Sequence, residues 1–182
     1  MTKWRSFLSL LVIVILVSAI SKQTVSANWL EGFAFEEIKP MSETENEETT
    51  VDPAAEYAAE VLRIVNLERK TKGLTALSGL TALKAAANTR AKEVSYLFAH
   101  IRPDGSSPRT VFTENGLKFR RIGENIAHGY SDPKTLVQAW MNSDAHRNVI
   151  LRAEYTHADL GYYKNEDGKI FCSMLFFTAT EG

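Results

Sequence analysis

Cysteine is almost absent from the sequence, since Cys172 is the only one among 182 residues. A single cysteine cannot form an intramolecular disulfide, so the fold has to be held together by packing. Cys172 lies in a segment with the pattern of a buried strand, where a lone thiol usually behaves as a small hydrophobic side chain. No cysteine ends the apolar run near the N-terminus, so the sequence offers no attachment point for a lipoprotein anchor.

A large excess of either charge is also lacking, because 21 basic residues face 22 acidic ones. The two signs are unevenly distributed along the chain. Residues 28–56 carry nine acidic side chains and one basic one, whereas the residues from Tyr57 onward carry 17 basic and 13 acidic side chains. That small basic surplus, without any nucleic-acid-binding motif, gives no reason to expect nucleic acid as a partner.

No apolar run reaches the length of a membrane-spanning helix. The stretch from Phe7 to Ala19 follows two basic residues and is shorter than the roughly 20 residues that cross a bilayer. A small-residue site, VSA, follows it and ends at Ala27. Residues 1–27 are therefore predicted to be a secretory signal peptide, the alternative being an uncleaved anchor. After cleavage we expect no stable membrane span and a protein that is secreted, extracellular or associated with the cell envelope.

The remaining chain is predicted to contain a spacer and one domain. Residues 28–56 combine high charge with no apolar periodicity, which is typical of a disordered acidic spacer. Residues 57–182 are enough for one buried core but not for two.

Helical periodicity is clear in the domain. Asp52-Pro53 and Asp132-Pro133 each place an N-cap residue before proline, which predicts the start of a helix. Apolar residues at helical spacing predict a second helix from about Leu80. The predicted helices end at Gly73, Leu97 and Asn142, with a short additional helix between Ser107 and Gly116.

Two strands are predicted near the C-terminus. Residues 156–163 alternate apolar and polar side chains, residues 165–168 have turn chemistry, and residues 170–177 are apolar on both faces. A strand that is apolar on both faces needs cover on both sides. The pattern therefore predicts an α+β fold, with helices on both faces of a small antiparallel sheet. The segment IGENIAHGY, 122–130, is flanked by glycines and is interpreted as a loop that leads into or out of a short extended piece.

Three side chains are the candidates for chemistry. His100 follows the second predicted helix, His146 follows the last one, and Glu124 lies in the glycine-flanked segment. Glu124 and its neighbour Asn125 either tie loops together or face an imidazole. The intervals between the three candidates are far longer than those of a compact metal-binding motif, and no serine stands in a G-x-S-x-G nucleophile pattern.

Five segments in order carry a family resemblance: VNLERKTKGLTAL, AHIRPDG, GENIAHG, AWMNSDAHRNVIL and LGYY. From about Tyr57 to Thr178 the chain resembles bacterial members of the CAP superfamily, named for cysteine-rich secretory proteins, antigen 5 and pathogenesis-related protein 1. The resemblance implies a three-layer α-β-α sandwich with a small central antiparallel sheet. It also implies a central cleft lined by two histidines and acidic residues, which holds a divalent metal in some members.

The resemblance assigns roles by motif. It makes His100, Glu124 and His146 the cleft residues and the candidates for catalysis. It also makes His100 and His146 the candidates for binding Zn²⁺ or Ca²⁺, with Glu124 as a possible third ligand. Asn125 and Arg147 are their matched supporting neighbours. This chain departs from the pattern of many eukaryotic members at two positions. Those members have a glutamate where this chain has Ser143 and a glutamine where it has Met174. His128 follows its motif and is interpreted as an exposed loop residue.

Three functions remain open at this point. The first is a secreted, non-catalytic binding module whose cleft holds a divalent metal or a small-molecule, lipid-like or cell-wall ligand. The second is a metal- or histidine-dependent extracellular hydrolase, in which the two imidazoles and the carboxylate activate water. The third is an interaction protein of the envelope or spore surface that uses the acidic spacer and the NWLEGFAF segment within it.

Overall fold

The computed structural model describes residues 52–180. The predicted signal peptide, nearly all of the predicted spacer and the NWLEGFAF segment lie outside the described residues. No helix within 52–180 has both the length and the apolar character needed to cross a bilayer. The described elements are α1 (Pro53–Thr71), α2 (Thr81–Tyr96), α3 (Thr110–Glu114), β1 (Phe119–His128), α4 (Pro133–Met141), α5 (Asp144–Ile150), β2 (His157–Lys164) and β3 (Ile170–Ala179).

The first helix begins as its capping residues predict. The Asp52 carboxylate accepts a hydrogen bond from the Ala54 N–H at 2.9 Å, and Pro53 is the first helical residue. Helix α1 therefore starts four residues before Tyr57, the predicted boundary between spacer and domain, and residues 53–56 form its first turn.

The three strands form an antiparallel sheet in the order β1-β3-β2, so β3 is the central strand. Side chains of β3 alternate between two helical layers. Cys172, Met174 and Phe176 belong to the core shared with α1 and α4, whereas Leu175 and Phe177 pack with residues of α2 and α3. Helices on both faces of a small antiparallel sheet are confirmed, and the fold is the α+β sandwich that the sequence predicts.

The loop interpretation is wrong for residues 122–128, because they lie in β1 and the strand runs through the segment instead of beginning or ending beside it. Glu124 pairs with Leu175 and His128 with Phe171 in the register of β1 and β3. Gly123 provides close approach and not a turn: a Cβ atom there would lie 2.4 Å from the Tyr155 hydroxyl oxygen. The Tyr155 hydroxyl donates to the Ile122 carbonyl at 2.9 Å. The glycine therefore lets a side chain cross the strand.

The position of His146 also differs from the prediction. Helix α4 ends at Met141, and His146 lies inside a second short helix, α5, instead of following the last one. Ser143 is the N-cap residue of α5 with an extended backbone, and Asp144 provides a negative charge in the first turn, where the helix dipole favours it. The Ser-Asp pair that restarts the helix is a signal present in the sequence.

Candidate functional site

A cavity of about 470 Å³ opens at the end of the sheet where β1 finishes. The segment after α2, the last residues of β1, and helices α4 and α5 surround it. Aromatic and aliphatic side chains form most of its wall, and three imidazoles interrupt that wall. The lining residues are Phe98, Ala99, His100, Ile126, Ala127, His128, Tyr130, Ala139, Trp140, Ser143 and His146.

His100 reaches the cavity from the segment that follows α2 and is fixed there by Glu124. His100 Nδ1 lies 2.8 Å from Glu124 Oε2, and the Glu124 side chain is only 8% exposed. The hydrogen bond to this carboxylate raises the pKa of His100 above its usual value. Glu124 thus orients the His100 ring and favours its charged form.

Glu124 is itself saturated by donors and does not line the cavity. Its Oε1 accepts from Arg90 Nε at 2.8 Å and from Ser173 Oγ at 3.1 Å. Burial alone would raise the pKa of Glu124, but the hydrogen bonds from His100 and Arg90 outweigh it and lower that pKa below its usual value. The side chain is therefore an ionised anchor behind the cavity wall.

Arg90 connects the anchor to α2 and to the His100 segment. Its side chain is fully buried, it donates to Glu93 Oε2 at 2.7 Å, and its Nη2 donates to the Ala99 carbonyl at 3.1 Å. Sequence analysis did not identify Arg90. Its signal was available, because Arg90 interrupts the apolar stripe of α2 between Ala87 and Val94, where a charged residue needs a buried partner.

His146 lies on the opposite side of the cavity in a different electrostatic environment. Its Nδ1 is 2.9 Å from Ser143 Oγ, and its carbonyl accepts from Asn125 Nδ2 at 3.1 Å. Burial, and secondarily the nearby charge of His100, lower the pKa of His146 below its usual value. Ser143 therefore contributes to the site by orienting this ring.

The supporting residues hold the α4–α5 corner in place. Arg147 donates to the Met141 carbonyl at 2.8 Å and forms an ion pair with Asp144, so it joins the end of α4 to the first turn of α5. Asn125 is buried in β1, and its Oδ1 has no hydrogen-bond partner among the described residues.

His128 contributes a third imidazole to the cavity. It is exposed, as predicted, but it ends β1 instead of lying in a loop. Its ring centroid lies 4.6 Å from that of Phe98 and 5.7 Å from that of Phe171. Met174, by contrast, is fully buried in β3 and does not line the cavity.

The candidate ligands do not form a complete protein cage for a metal. Within residues 52–180 no group of three or more His, Cys, Asp or Glu side chains is placed to hold an ion. The chemistry of the pair nonetheless fits partial coordination. Both rings have Nδ1 engaged, by Glu124 for His100 and by Ser143 for His146. A histidine that binds metal usually donates its other ring N–H to a carboxylate, a backbone carbonyl or water, and the Glu124 contact of His100 fits that arrangement.

Comparison with known proteins places this geometry in a family. Residues 62–178, well over half of the chain, match the family model described as the cysteine-rich secretory protein family, CAP. The uncharacterized protein YkwD of Bacillus subtilis strain 168 is 32% identical over 136 residues. That alignment covers 72% of this chain and 52% of YkwD, so the chain spans about half the length of this relative.

Two solved structures share the fold. An extracellular protein containing an SCP domain from Bacillus anthracis str. Ames superposes with a TM-score of 0.63 at 23% identity, covering 68% of this chain and 41% of that one. An outer surface protein of Borrelia burgdorferi gives a TM-score of 0.65 at 19% identity, covering 71% of this chain and 97% of that one. With the family match and the fold in agreement, the chain belongs to the cysteine-rich secretory protein (CAP) family of extracellular-type proteins.

Proposed function

We propose that this protein is a non-catalytic extracellular binding module whose cavity takes a small ligand with an apolar portion. The observation that carries the proposal is the cavity itself, in which Trp140, Ile126 and Phe98 supply apolar surface while His100 and His146 supply polar contacts. Ligand sites typically combine a volume of about 300–1,000 Å³, a mainly apolar wall and a few placed polar groups.

The state of Glu124 favours binding over hydrolysis. A general base has to accept a proton from water, and it works best when its pKa lies near the working pH. Glu124 instead has its pKa lowered, and both of its oxygens already accept hydrogen bonds from His100, Arg90 and Ser173. These contacts support a role in holding His100 and leave the carboxylate poorly suited to activate a substrate.

A divalent metal is the second part of the proposal. His100 and His146 would hold it through their Nε2 atoms, neither of which has a hydrogen-bond partner among the described residues. Zn²⁺ prefers imidazole ligands, whereas Ca²⁺ prefers oxygen, so the donor set favours Zn²⁺. The bound ion would act as a Lewis acid that attracts an anionic or carbonyl oxygen of the ligand.

Thermal unfolding with and without metal tests this proposal. We expect Zn²⁺ at about 100 times its dissociation constant to stabilise the wild type by ~2.7 kcal/mol, which is roughly 5–10 °C for a chain of this size. EDTA should reverse the shift. The double variant His100→Ala/His146→Ala should show no shift, because both proposed ligands are removed.

His157→Ala is the matched control, because it removes an imidazole outside the cavity, at the start of β2. This variant should respond to Zn²⁺ like the wild type. If the double variant keeps the full Zn²⁺ response, the ion binds elsewhere and the metal part of the proposal is wrong.

A further inference from the structure

The end of the sheet opposite the cavity carries a group of exposed basic side chains. We propose that this group, the basic patch, binds a linear phosphate polymer. It lies beside Phe119 and Ala179, the pair at the far end of the β1–β3 ladder from His128. The basic patch consists of Arg109, Lys118, Arg120, Arg121 and Arg152, all of which are exposed.

Contacts place Arg121 and Glu154 together at this end of the sheet. Arg121 Nη2 lies 3.4 Å from Glu154 Oε1. A hydrogen bond to its own backbone, and then the positive charges of Arg121, Arg152 and Arg120, lower the pKa of Glu154. Glu154 is fixed at this end of the sheet, because Thr178, the β3 partner of Arg121, donates a hydrogen bond to the Glu154 carbonyl.

The remaining two cations lie around Phe119. The Arg109 guanidinium carbon is 5.2 Å from the centre of the Phe119 ring, a cation–π distance. Lys118 precedes Phe119 in the chain, and its carbonyl accepts from the Thr180 N–H at 3.2 Å, which fixes it to the end of β3. The basic patch thus extends from the loop before α3, across the start of β1, to the chain after α5.

An irregularity in β1 explains how two adjacent arginines are both exposed. The register between β1 and β3 shifts between Phe119 and Arg121, so Arg120 has no partner on β3. In a regular strand adjacent side chains point to opposite faces, and one of the two would face a helical layer. A bulge redirects side chains at a sheet edge, and here both Arg120 and Arg121 reach solvent.

The charge of the basic patch is left largely uncompensated by the described residues. Of the five cations only Arg121 forms an ion pair among the described residues, with Glu154, and both side chains of that pair are 44% exposed, so the pair is weak. Glu114, at the end of the short helix that Arg109 precedes, is already paired with Arg102. A ligand with several negative charges would find cations available here.

Phosphate is the anion that best fits the side chains present. Four of the five cations are arginines, whose planar guanidinium groups donate two parallel hydrogen bonds to phosphate oxygens. A linear polymer can contact several of them at once and release its condensed counterions. Nucleic acid is less suited, because the aromatic ring in the basic patch, Phe119, is partly buried beneath Arg109 and offers little surface for base stacking.

Binding of sodium polyphosphate to the full chain, measured between about 50 and 200 mM NaCl, tests the proposal. We expect a dissociation constant that rises steeply with salt. Arg120→Ser/Arg121→Ser should weaken binding about tenfold and reduce the slope of log affinity against log salt by about 2, one for each arginine that no longer meets a phosphate. Both side chains are exposed, so the melting temperature should change little.

Lys92→Ser/Lys134→Ser is the control of equal charge change, because both lysines are exposed on helices away from the basic patch. It should bind polyphosphate like the wild type. Equal weakening in both double variants would show a non-specific effect of net charge and overturn the proposal.

Polyglutamate or oligothymidylate of matched charge should bind more weakly than polyphosphate. If polyglutamate or oligothymidylate bound as tightly as polyphosphate, the proposal would be overturned. The absence of polyphosphate binding at about 50 mM NaCl, where salt screens the charges least, would overturn it as well.

Discussion

Replacing Gly161 with alanine is expected to destabilise the protein by about 3 kcal/mol or more, or to prevent folding, because the added methyl group meets backbone. A Cβ atom at Gly161 would lie 1.8 Å from the Ala87 carbonyl oxygen and 2.2 Å from its carbon. Neither atom belongs to a flexible side chain that could rotate away. Helix α2 would have to move off β2, and Arg90 would move with it.

Gly79→Ala is the matched control for this effect. Its Cβ would lie 3.6 Å from the nearest Asp159 carboxylate oxygen, which is an ordinary contact. We expect its stability to remain within about 1 kcal/mol of the wild type. Urea unfolding followed by circular dichroism compares the two variants. Equal midpoints for Gly161→Ala and Gly79→Ala would contradict the close packing of α2 on the sheet.

The second large effect is expected for Arg90→Met, which removes the buried cation behind the cavity wall. The change leaves the carboxylates of Glu124 and Glu93 without their fully buried partner. Breaking a buried ion pair on one side usually costs about 3–5 kcal/mol, because the remaining charge stays buried and uncompensated. The melting temperature should fall by roughly 10 °C or more.

The pH dependence of this loss separates electrostatics from packing. The pKa of Glu124 is held below its usual value of 4.5. The stability that its charged form gains from Arg90 is therefore present above pH 4.5, and it is lost as the pH falls through the lowered pKa. The difference in free energy of unfolding between wild type and Arg90→Met should therefore shrink as the pH falls below 4.5.

Arg63→Met provides the control for removing an arginine from an ion pair. Arg63 pairs with Glu60 on the exposed face of α1, where the two side chains are 58% and 43% exposed. We expect no measurable loss of stability, because solvent screens the pair. A loss for Arg90→Met that is no larger than that for Arg63→Met, or that is independent of pH, would contradict the role of Arg90 as the partner of Glu124.

Local signals in the sequence were sufficient for much of the fold. The caps before α1 and α4 depend on neighbouring residues, Asp52-Pro53 and Asp132-Pro133, and both helices begin where those pairs predict. The central strand was recognisable because β3 is apolar on both faces. These features require no knowledge of distant parts of the chain.

The parts that sequence reasoning missed depend on contacts across the fold. Gly123 looks like a turn residue until Tyr155 is known to cross β1 at that point. The break between α4 and α5 is encoded locally by Ser143, but the preceding helical pattern obscured it. Arg90 acquires its role only from Glu124, which lies 34 residues later in the chain and meets it through the packing of α2 on the sheet.

The family resemblance supplied the candidate site residues, whereas their arrangement became visible only in the structure. The family resemblance identified His100, Glu124 and His146, and the structure places His100 and Glu124 in direct contact. Sequence spacing could not show that Glu124 accepts from Arg90 behind His100 and does not line the cavity, because that arrangement is set by tertiary packing. It also could not place His128 on the cavity wall, because that position depends on the extent of β1.

The measurement that tests the central claim most directly is a fluorescence titration with 1-anilinonaphthalene-8-sulfonate, which combines an apolar ring system with an anionic group. Wild type should bind the dye saturably in the cavity. Ala139→Trp, which fills the cavity from its wall, should lose that binding, whereas Ala59→Trp on the exposed face of α1 should retain it. Equal dye binding by Ala139→Trp and the wild type would contradict the assignment of the cavity as the ligand site.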